Sequence, residues 1–172
     1  RRARGAHISN LIDLHEQEYV ATALGQRNIE LHNYFMFITK KGRVKRSECE
    51  LYKNMRASGL NAVGLQKGDE LIAVREVSAD RQMILITRLG FAIRFACKEI
   101  RPMGRNAAGV KGISLRQGDR VVSGVTVDAE SSDSLLTVSE RGYGKRTPLD
   151  QYRLQFRGGK GIINMKPTEK TG

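Results

Sequence analysis

The sequence predicts an all-β fold built from repeated four-stranded units of about fifty residues, and three observations carry that prediction. First, YFMFITKKGRVKRSE (Tyr34 to Glu48) is an apolar run that breaks at a glycine and resumes as a strand, the pattern of a β-hairpin. MILITRLGFAIRF (Met83 to Phe95) and SLLTVSERGYGKRT (Ser134 to Thr147) repeat it, with turn glycines Gly42, Gly90 and Gly142 spaced 48 and 52 residues apart. Second, no window of a dozen residues sustains i, i+3, i+4, i+7 apolar spacing without a glycine or strand-like alternation, which excludes a helix-rich fold. Third, so small a sheet cannot bury both faces alone. Its copies must stand side by side or radially, and propeller-like blades of four antiparallel strands meet that need.

Taken in order, the chain opens with an apolar run (Ile8 to Leu14), the acidic Glu16 and Glu18, and a second strand-like run from Tyr19 to Leu24. Asn28 to Asn33 is polar and leads into the first hairpin. Glu50 to Asn61 is a loop carrying Lys53, Arg56 and Gly59, Val63 to Leu65 a short strand, and Lys67-Gly68-Asp69 a turn. Glu70 to Val77 alternates as a half-buried strand, and Ser78 to Gln82 leads to the second hairpin. After it KEIRPMGRNAAGVK (Lys98 to Lys111) is a loop with four cations. Ile113 to Leu115 is the next short strand, Gln117-Gly118-Asp119 repeats the turn fifty residues on, and Arg120 to Val127 is the next long strand before the third hairpin. Each unit therefore reads as a short strand, a long strand and the two arms of a hairpin, in approximate units 1–48, 49–98, 99–150 and a partial 151–172 of a single repeat domain, 1–172.

The 172 residues suffice for a substantial core. A formal charge of +12 and a pI near 10.1 make nucleic acid the leading partner and an anionic membrane surface the lesser one. No stretch approaches 18 apolar residues and no charged-then-apolar leader opens the chain, so the expected compartment is the cytoplasm. Cys49 and Cys97 each lie seven residues past a turn glycine, where the third repeat has Leu149. A position that takes Cys, Cys or Leu is a buried apolar slot, not half of a disulfide or a metal site. His7, His15 and His32 lack ligand spacing, so no metal is expected.

Catalytic motifs are missing. GYGKRT (Gly142 to Thr147) approaches a phosphate-binding loop, but Ser139 and Arg146 occupy places that need Gly and Ser or Thr. GRNAAGVKG (Gly104 to Gly112) lacks the preceding strand and following helix of a dinucleotide site. Carboxylates sit in turns (Asp69, Glu70, Asp80, Asp128, Glu130, Asp133), where conformation favours them, and no Ser, His and Asp set is suggested by spacing. Cations instead gather at hairpins and inter-unit loops, apart from the carboxylates. Lys40, Lys41, Arg43, Lys45 and Arg46, then Arg88 and Arg94, then Arg141, Lys145 and Arg146 recur in register, joined in the loops by Arg101, Arg105, Lys111, Arg157 and Lys160. Matched cations on successive blades would follow a phosphate backbone around a curved surface. Aromatics at 6% with no Trp offer few stacking platforms, which favours duplex over single strands. A protein-interaction propeller for acidic partners is the competing class.

TKKGRVKR (Thr39 to Arg46), MILITRLGFAIRF, IRPMGRNAAGVKGI (Ile100 to Ile113) with QGDRVV (Gln117 to Val122), and GYGKRTPLDQY (Gly142 to Tyr152) together resemble the C-terminal domain of the DNA gyrase A protein, a six-bladed propeller relative called a β-pinwheel. The resemblance covers essentially the whole chain. It implies a non-catalytic domain without cofactor that wraps double-stranded DNA, monomeric in isolation, in a bacterial enzyme with the gyrase B subunit plus the rest of the gyrase A subunit. That ATP-dependent type IIA topoisomerase introduces negative supercoils, and its cleavage tyrosine lies outside the domain; Tyr19, Tyr34, Tyr52, Tyr143 and Tyr152 do not match its context. The equivalent domain of topoisomerase IV is the close paralogue.

The family carries a box of Gln, a basic residue, Arg-Gly-Gly, any residue and Gly, and Gln155, Phe156, Arg157, Gly158, Gly159, Lys160 and Gly161 resemble it. The stretch departs at Phe156, where a cation is usual. Three hairpins precede it whereas the family's box lies in the first blade, so the resemblance implies a degenerate copy in a later blade and a partial set of blades.

Overall fold

The computed structural model describes residues 5–10, 12, 14–24, 33–54 and 59–172. The expected turn over Asn28 to Asn33 (Asn33 apart), together with Arg56 and His32, lies outside them. The fold is all-β, as expected. The first hairpin is β1 (Tyr34–Thr39) and β2 (Arg43–Glu48), followed by β3 (Leu71–Val77). The second is β4 (Gln82–Thr87) and β5 (Phe91–Ala96), followed by the short β6 (Val110–Lys111) and by β7 (Val121–Val127). The third is β8 (Ser134–Val138) and β9 (Gly144–Pro148), with the short β10 (Ile162–Ile163) after it. Gly42, Gly90 and Gly142 all have φ near +80° (78°, 78° and 81°), the left-handed residue that closes each turn. In the first two tips, the hydroxyl of the last strand residue, Thr39 or Thr87, accepts a bond from the amide just past the glycine.

Two sheets have four strands, in the orders β3-β1-β2-β6 and β10-β5-β4-β7, and β8 pairs with β9. The expected unit took its long strand from before its hairpin. Instead β3 pairs with β1, the hairpin that precedes it, and β7 pairs with β4. The fourth strand comes from farther on, β6 beside β2 and β10 beside β5, so each four-stranded sheet is completed by chain from beyond the next hairpin. Such pairing joins neighbouring blades by backbone hydrogen bonds from chain that crosses between them. The short strands expected at Val63 to Leu65 and Ile113 to Leu115 are not strands. The segment that pairs lies just before the latter, at Val110–Lys111, while Ile113 itself is buried as a plug. Among the described residues the runs from Ile8 and Tyr19 are also not strands; Ile8–Asn10 is a 3-10 turn, and Tyr19, Val20 and Leu24 are exposed.

The apolar runs in β1 and β4 are continuous because both faces of their sheets are covered. Phe35 and Phe37 pack with Cys49 and Tyr52 on one side of the first sheet, while Met36 and Ile38 join Met83, Leu85, Ile93 and Phe95 between the first and second. Ile84 and Ile86 turn the opposite way, to Leu149, Tyr152 and Leu135 of the third. In β8 the pattern alternates instead. Leu135 packs inward and Leu136 and Val138 face outward, exposed.

Each hairpin leads into a short 3-10 turn, Cys49–Tyr52, Cys97–Glu99 and Leu149–Gln151. Their first residues are all buried, so the slot expected for Cys49, Cys97 and Leu149 is real. Burial pushes both thiols up to about 12, and both are free.

Candidate nucleic-acid interface

The hairpin cations divide into two groups by the direction in which each strand residue points. Lys45, Arg46 and Arg94 were expected on the phosphate-binding face, and the structure places all three inside. In β2 the alternation that directs Val44 into the core between the first two sheets sends Lys45 to the opposite, equally covered face. There Lys45 is 1% exposed, and its Nζ donates to the carbonyls of Ala62 (2.7 Å) and Arg105 (2.5 Å) and lies 3.4 Å from the Tyr52 hydroxyl and 4.8 Å from the Phe37 ring centroid. Desolvation lowers its pKa to about 8. Lys45 therefore ties two loops to the sheet and is not available to a phosphate.

Arg94 serves the next junction. Its Nε donates to Gln82 Oε1 (2.6 Å), its Nη1 to the carbonyl of Leu149 (2.7 Å) and its Nη2 to that of Ala129 (3.2 Å). Arg46 holds the equivalent position and stacks on the Tyr34 ring at 4.4 Å.

The remaining expected residues reach or approach the surface. Lys41, Arg88, Arg101, Arg105, Lys111, Arg141, Lys145, Arg146 and Lys160 are exposed, and Lys40, Arg43 and Arg157 are half-buried. Lys40 pairs with Glu70 at 2.7 Å, Arg43 is turned onto the carbonyls of Ala108 and Gly109, and Lys41 Nζ donates to the Lys67 carbonyl. These contacts correct the expected separation of charge. The turn of one repeat seats on the hairpin tip of the previous one, so Asp69 accepts a bond from the Lys41 amide (2.8 Å) and Asp119 one from the Leu89 amide (3.0 Å). A carboxylate and a cation thus pair at the first tip and a carboxylate caps the backbone of the second, while the inter-blade loops carry exposed Arg101 and Arg105, then, 52 residues on, exposed Arg153 and half-buried Arg157.

The box-like stretch is a staple between blades. The Gln155 amide donates to the Arg94 carbonyl (2.9 Å), the Gly158 amide to that of Gly112 (2.7 Å), and the Ser114 amide and hydroxyl to the carbonyls of Gly159 (2.8 Å) and Gly158 (2.7 Å). Arg157 donates from its amide to Glu99 Oε2 (3.0 Å) and from Nη1 to the Lys111 carbonyl (3.2 Å). Gly161, at φ +70°, passes so close to Ala92 that a β-carbon would strike its carbonyl, and Gly109 stands the same way against Val44 in the preceding blade. That last glycine is thus demanded by the repeat itself. Two nearby residues were missed in the sequence: Arg116, whose guanidinium lies 3.2 Å from the Phe91 ring centroid and donates to the Lys160 carbonyl, and Arg153. Arg116 stands outside the register of the cations, so the repeat gave no sign of it, whereas Arg153 repeats Arg101 52 residues on and could have been found by carrying the loop cations forward.

Comparison with known proteins adds a family to this geometry. A family model described as DNA gyrase C-terminal domain, beta-propeller, matches residues 33–78, 81–128 and 133–171, each segment running from a hairpin towards the turn that follows it. The chain is 51% identical over its whole length to the DNA gyrase A subunit of Lawsonia intracellularis and 43% identical to that of Staphylococcus epidermidis, spanning about a fifth of each (21% and 19%). Among solved structures, a DNA gyrase A C-terminal domain superposes with a TM-score of 0.89 at 29% identity, over 99% of this chain and 56% of that one. A topoisomerase IV C-terminal domain superposes with a TM-score of 0.84 at 32% identity, over 92% and 49%. With three matched segments on three hairpins and full-length identity to gyrase A proteins, the chain belongs to the family of DNA gyrase A C-terminal domains.

Proposed function

We propose that this chain is a non-catalytic module that bends and wraps duplex DNA, working within an ATP-dependent type IIA topoisomerase that introduces negative supercoils, in the bacterial cytoplasm at the nucleoid. The observation that supports it best is the recurrence of exposed cations from blade to blade, one at each tip (Lys41, Arg88, Arg141) and two in each inter-blade loop (Arg101 and Arg105, then Arg153 and Lys160). A phosphate backbone repeats in the same manner, and phosphate contacts position a duplex without reading its bases. Base readout by a recognition helix in the major groove has no candidate here, since the described residues contain only 3-10 turns of three or four residues besides strands. The gyrase B subunit plus the rest of the gyrase A subunit are the protein partners in this reading, the isolated domain is a monomer without cofactor, and the cleavage tyrosine belongs to another part of the enzyme.

Salt dependence tests it. If roughly six phosphates are neutralised, log affinity for linear duplex falls against log salt with a slope near −5, and Lys41→Glu, Lys111→Glu and Lys160→Glu together flatten it by about 3. A flat salt response with tight binding to an acidic protein would replace the wrapping role with a protein-interaction one. Ligating a nicked plasmid with the protein bound, then counting the trapped linking difference, distinguishes wrapping from mere binding. The same measurements serve if the parent enzyme is topoisomerase IV, whose C-terminal domain this chain also resembles.

A further inference from the structure

Phe156 is 85% exposed, more than any other large apolar side chain among the described residues, yet the loop that carries it is fastened on both sides. Gln155 is bonded to Arg94, Arg157 to Glu99 and Lys111, and Gly158 and Gly159 to Gly112 and Ser114. The preceding blade contains an internal control. Arg94 bridges to Leu154 as Arg46 bridges to Pro102, an offset of 52 that sets Phe156 at the place of Gly104. A β-carbon on Gly104 would meet nothing within 4 Å. The fold therefore asks for no side chain at this position, and in one blade it has none. An aromatic ring held out there on a rigid loop buries nothing in the free protein. The loop around it is cationic: Lys160, four residues on, and Lys111, whose side chain lies beside Gly158, are exposed with no ion pair among the described residues, and Glu99, which the loop contacts, is occupied by the backbone amides of Ala96 and Arg157.

We propose that Phe156 is a wedge that enters a base step of duplex DNA and kinks it, with Lys111 and Lys160 on the flanking phosphates; this rests on the wrapping role above. Apolar side chains inserted between base pairs partly unstack them and bend the helix, and a rigid loop with cations beside it supplies the orientation such insertion requires. The wedge would concentrate curvature at one point of the wrapped path and favour easily unstacked pyrimidine–purine steps there.

The test uses the full chain and a mixed-sequence linear duplex with donor and acceptor dyes at its two ends. The sequence has no Trp, so Phe156→Trp introduces a lone indole that can be excited apart from the five tyrosines, and the glycine in the preceding blade shows that Phe156→Ala will fold. Expected are strong quenching of the introduced indole's emission by duplex, about fivefold or more weaker binding by Phe156→Ala, and a loss of end-to-end energy transfer at saturation with that variant. Binding with unmoved emission, or quenching with energy transfer unchanged in Phe156→Ala, overturns the wedge and leaves wrapping standing. Failure of the parent chain to bind duplex overturns both.

Discussion

Arg94 and Arg46 occupy the same place four residues past a turn glycine, but Arg94 is hydrogen-bonded to Gln82 and to the carbonyls of Leu149, Tyr152 and Ala129, whereas Nε and Nη1 of the buried Arg46 have no partner. The difference traces to the strand opposite. Gln82 presents an amide oxygen to Arg94, and Tyr34, 48 residues earlier, presents only a ring face to Arg46. Removing a bonded buried charge orphans its acceptors, while replacing an unbonded one by an apolar side chain mainly relieves desolvation. Arg94→Met should cost about 3 kcal/mol and Arg46→Met about 1 kcal/mol or less in urea unfolding. Equal losses at the two sites would show that Arg46 is held by bonds as good as those of Arg94.

Lys45 makes stability depend on pH in an unusual direction. Its pKa in the folded chain is lowered from 10.5 to about 8, so between those values the unfolded state binds more protons than the folded one. Stability from this group therefore rises as pH increases from 8 towards 10.5, and below 8 the desolvation cost is present in full. Against Lys45→Met as reference, the parent should gain with pH by no more than about 3 kcal/mol. Urea midpoints of the two proteins at pH 7, 8.5 and 10 check the sign. A difference that stays constant or shrinks would place the titration elsewhere.

What the sequence made legible was whatever the repeat wrote three times. The hairpins, their turn glycines and the Cys49, Cys97 and Leu149 slot can be read by superposing one unit on the next, because a local turn and a local burial need only local residues. Strand pairing could not be read that way. A β3 placed before the second hairpin or after the first is the same sequence, and the choice depends on which edge it reaches in space. The fate of the cations was hidden for a related reason. Lys45 and Lys41 look alike in a basic run, and only the packing of Ala62 and Arg105 over one face of the sheet decides that Lys45 is inside. Phe156 was visible as a departure from the box, but its exposure follows from a loop geometry that no single unit reveals.

The shared slot supports a substitution that copies the third repeat into the second. Cys97→Leu should cost less than about 1.5 kcal/mol, because Leu149 fills the corresponding site and the change is apolar to apolar. Cys97→Asp should prevent folding of the second blade, since a carboxylate there has no water. With both thiols pushed up to about 12 by burial, neither Cys49 nor Cys97 should react with a thiol reagent at neutral pH until urea opens the fold. Rapid labelling of the native protein would contradict the burial.

The glycines around the box-like stretch separate what the fold needs from what DNA needs. Gly161 is at φ +70° with the Ala92 carbonyl in the way of any β-carbon, so Gly161→Ala combines a left-handed backbone penalty with a backbone collision that the fastened loop cannot relax. Its expected cost is about 2 kcal/mol or more, read as a fall in the urea midpoint. Gly104 lies in open space, so Gly104→Ala should change stability by less than about 0.5 kcal/mol. Because Gly161 anchors the loop that presents Phe156, Gly161→Ala should also weaken duplex binding, and restoring folding with a stabilising osmolyte should not restore it fully, since the displaced loop misaims the ring. If Gly161→Ala melts like the parent, β10 does not approach β5 closely enough to exclude a β-carbon, and the last glycine of the stretch would then have to be explained by contact with DNA.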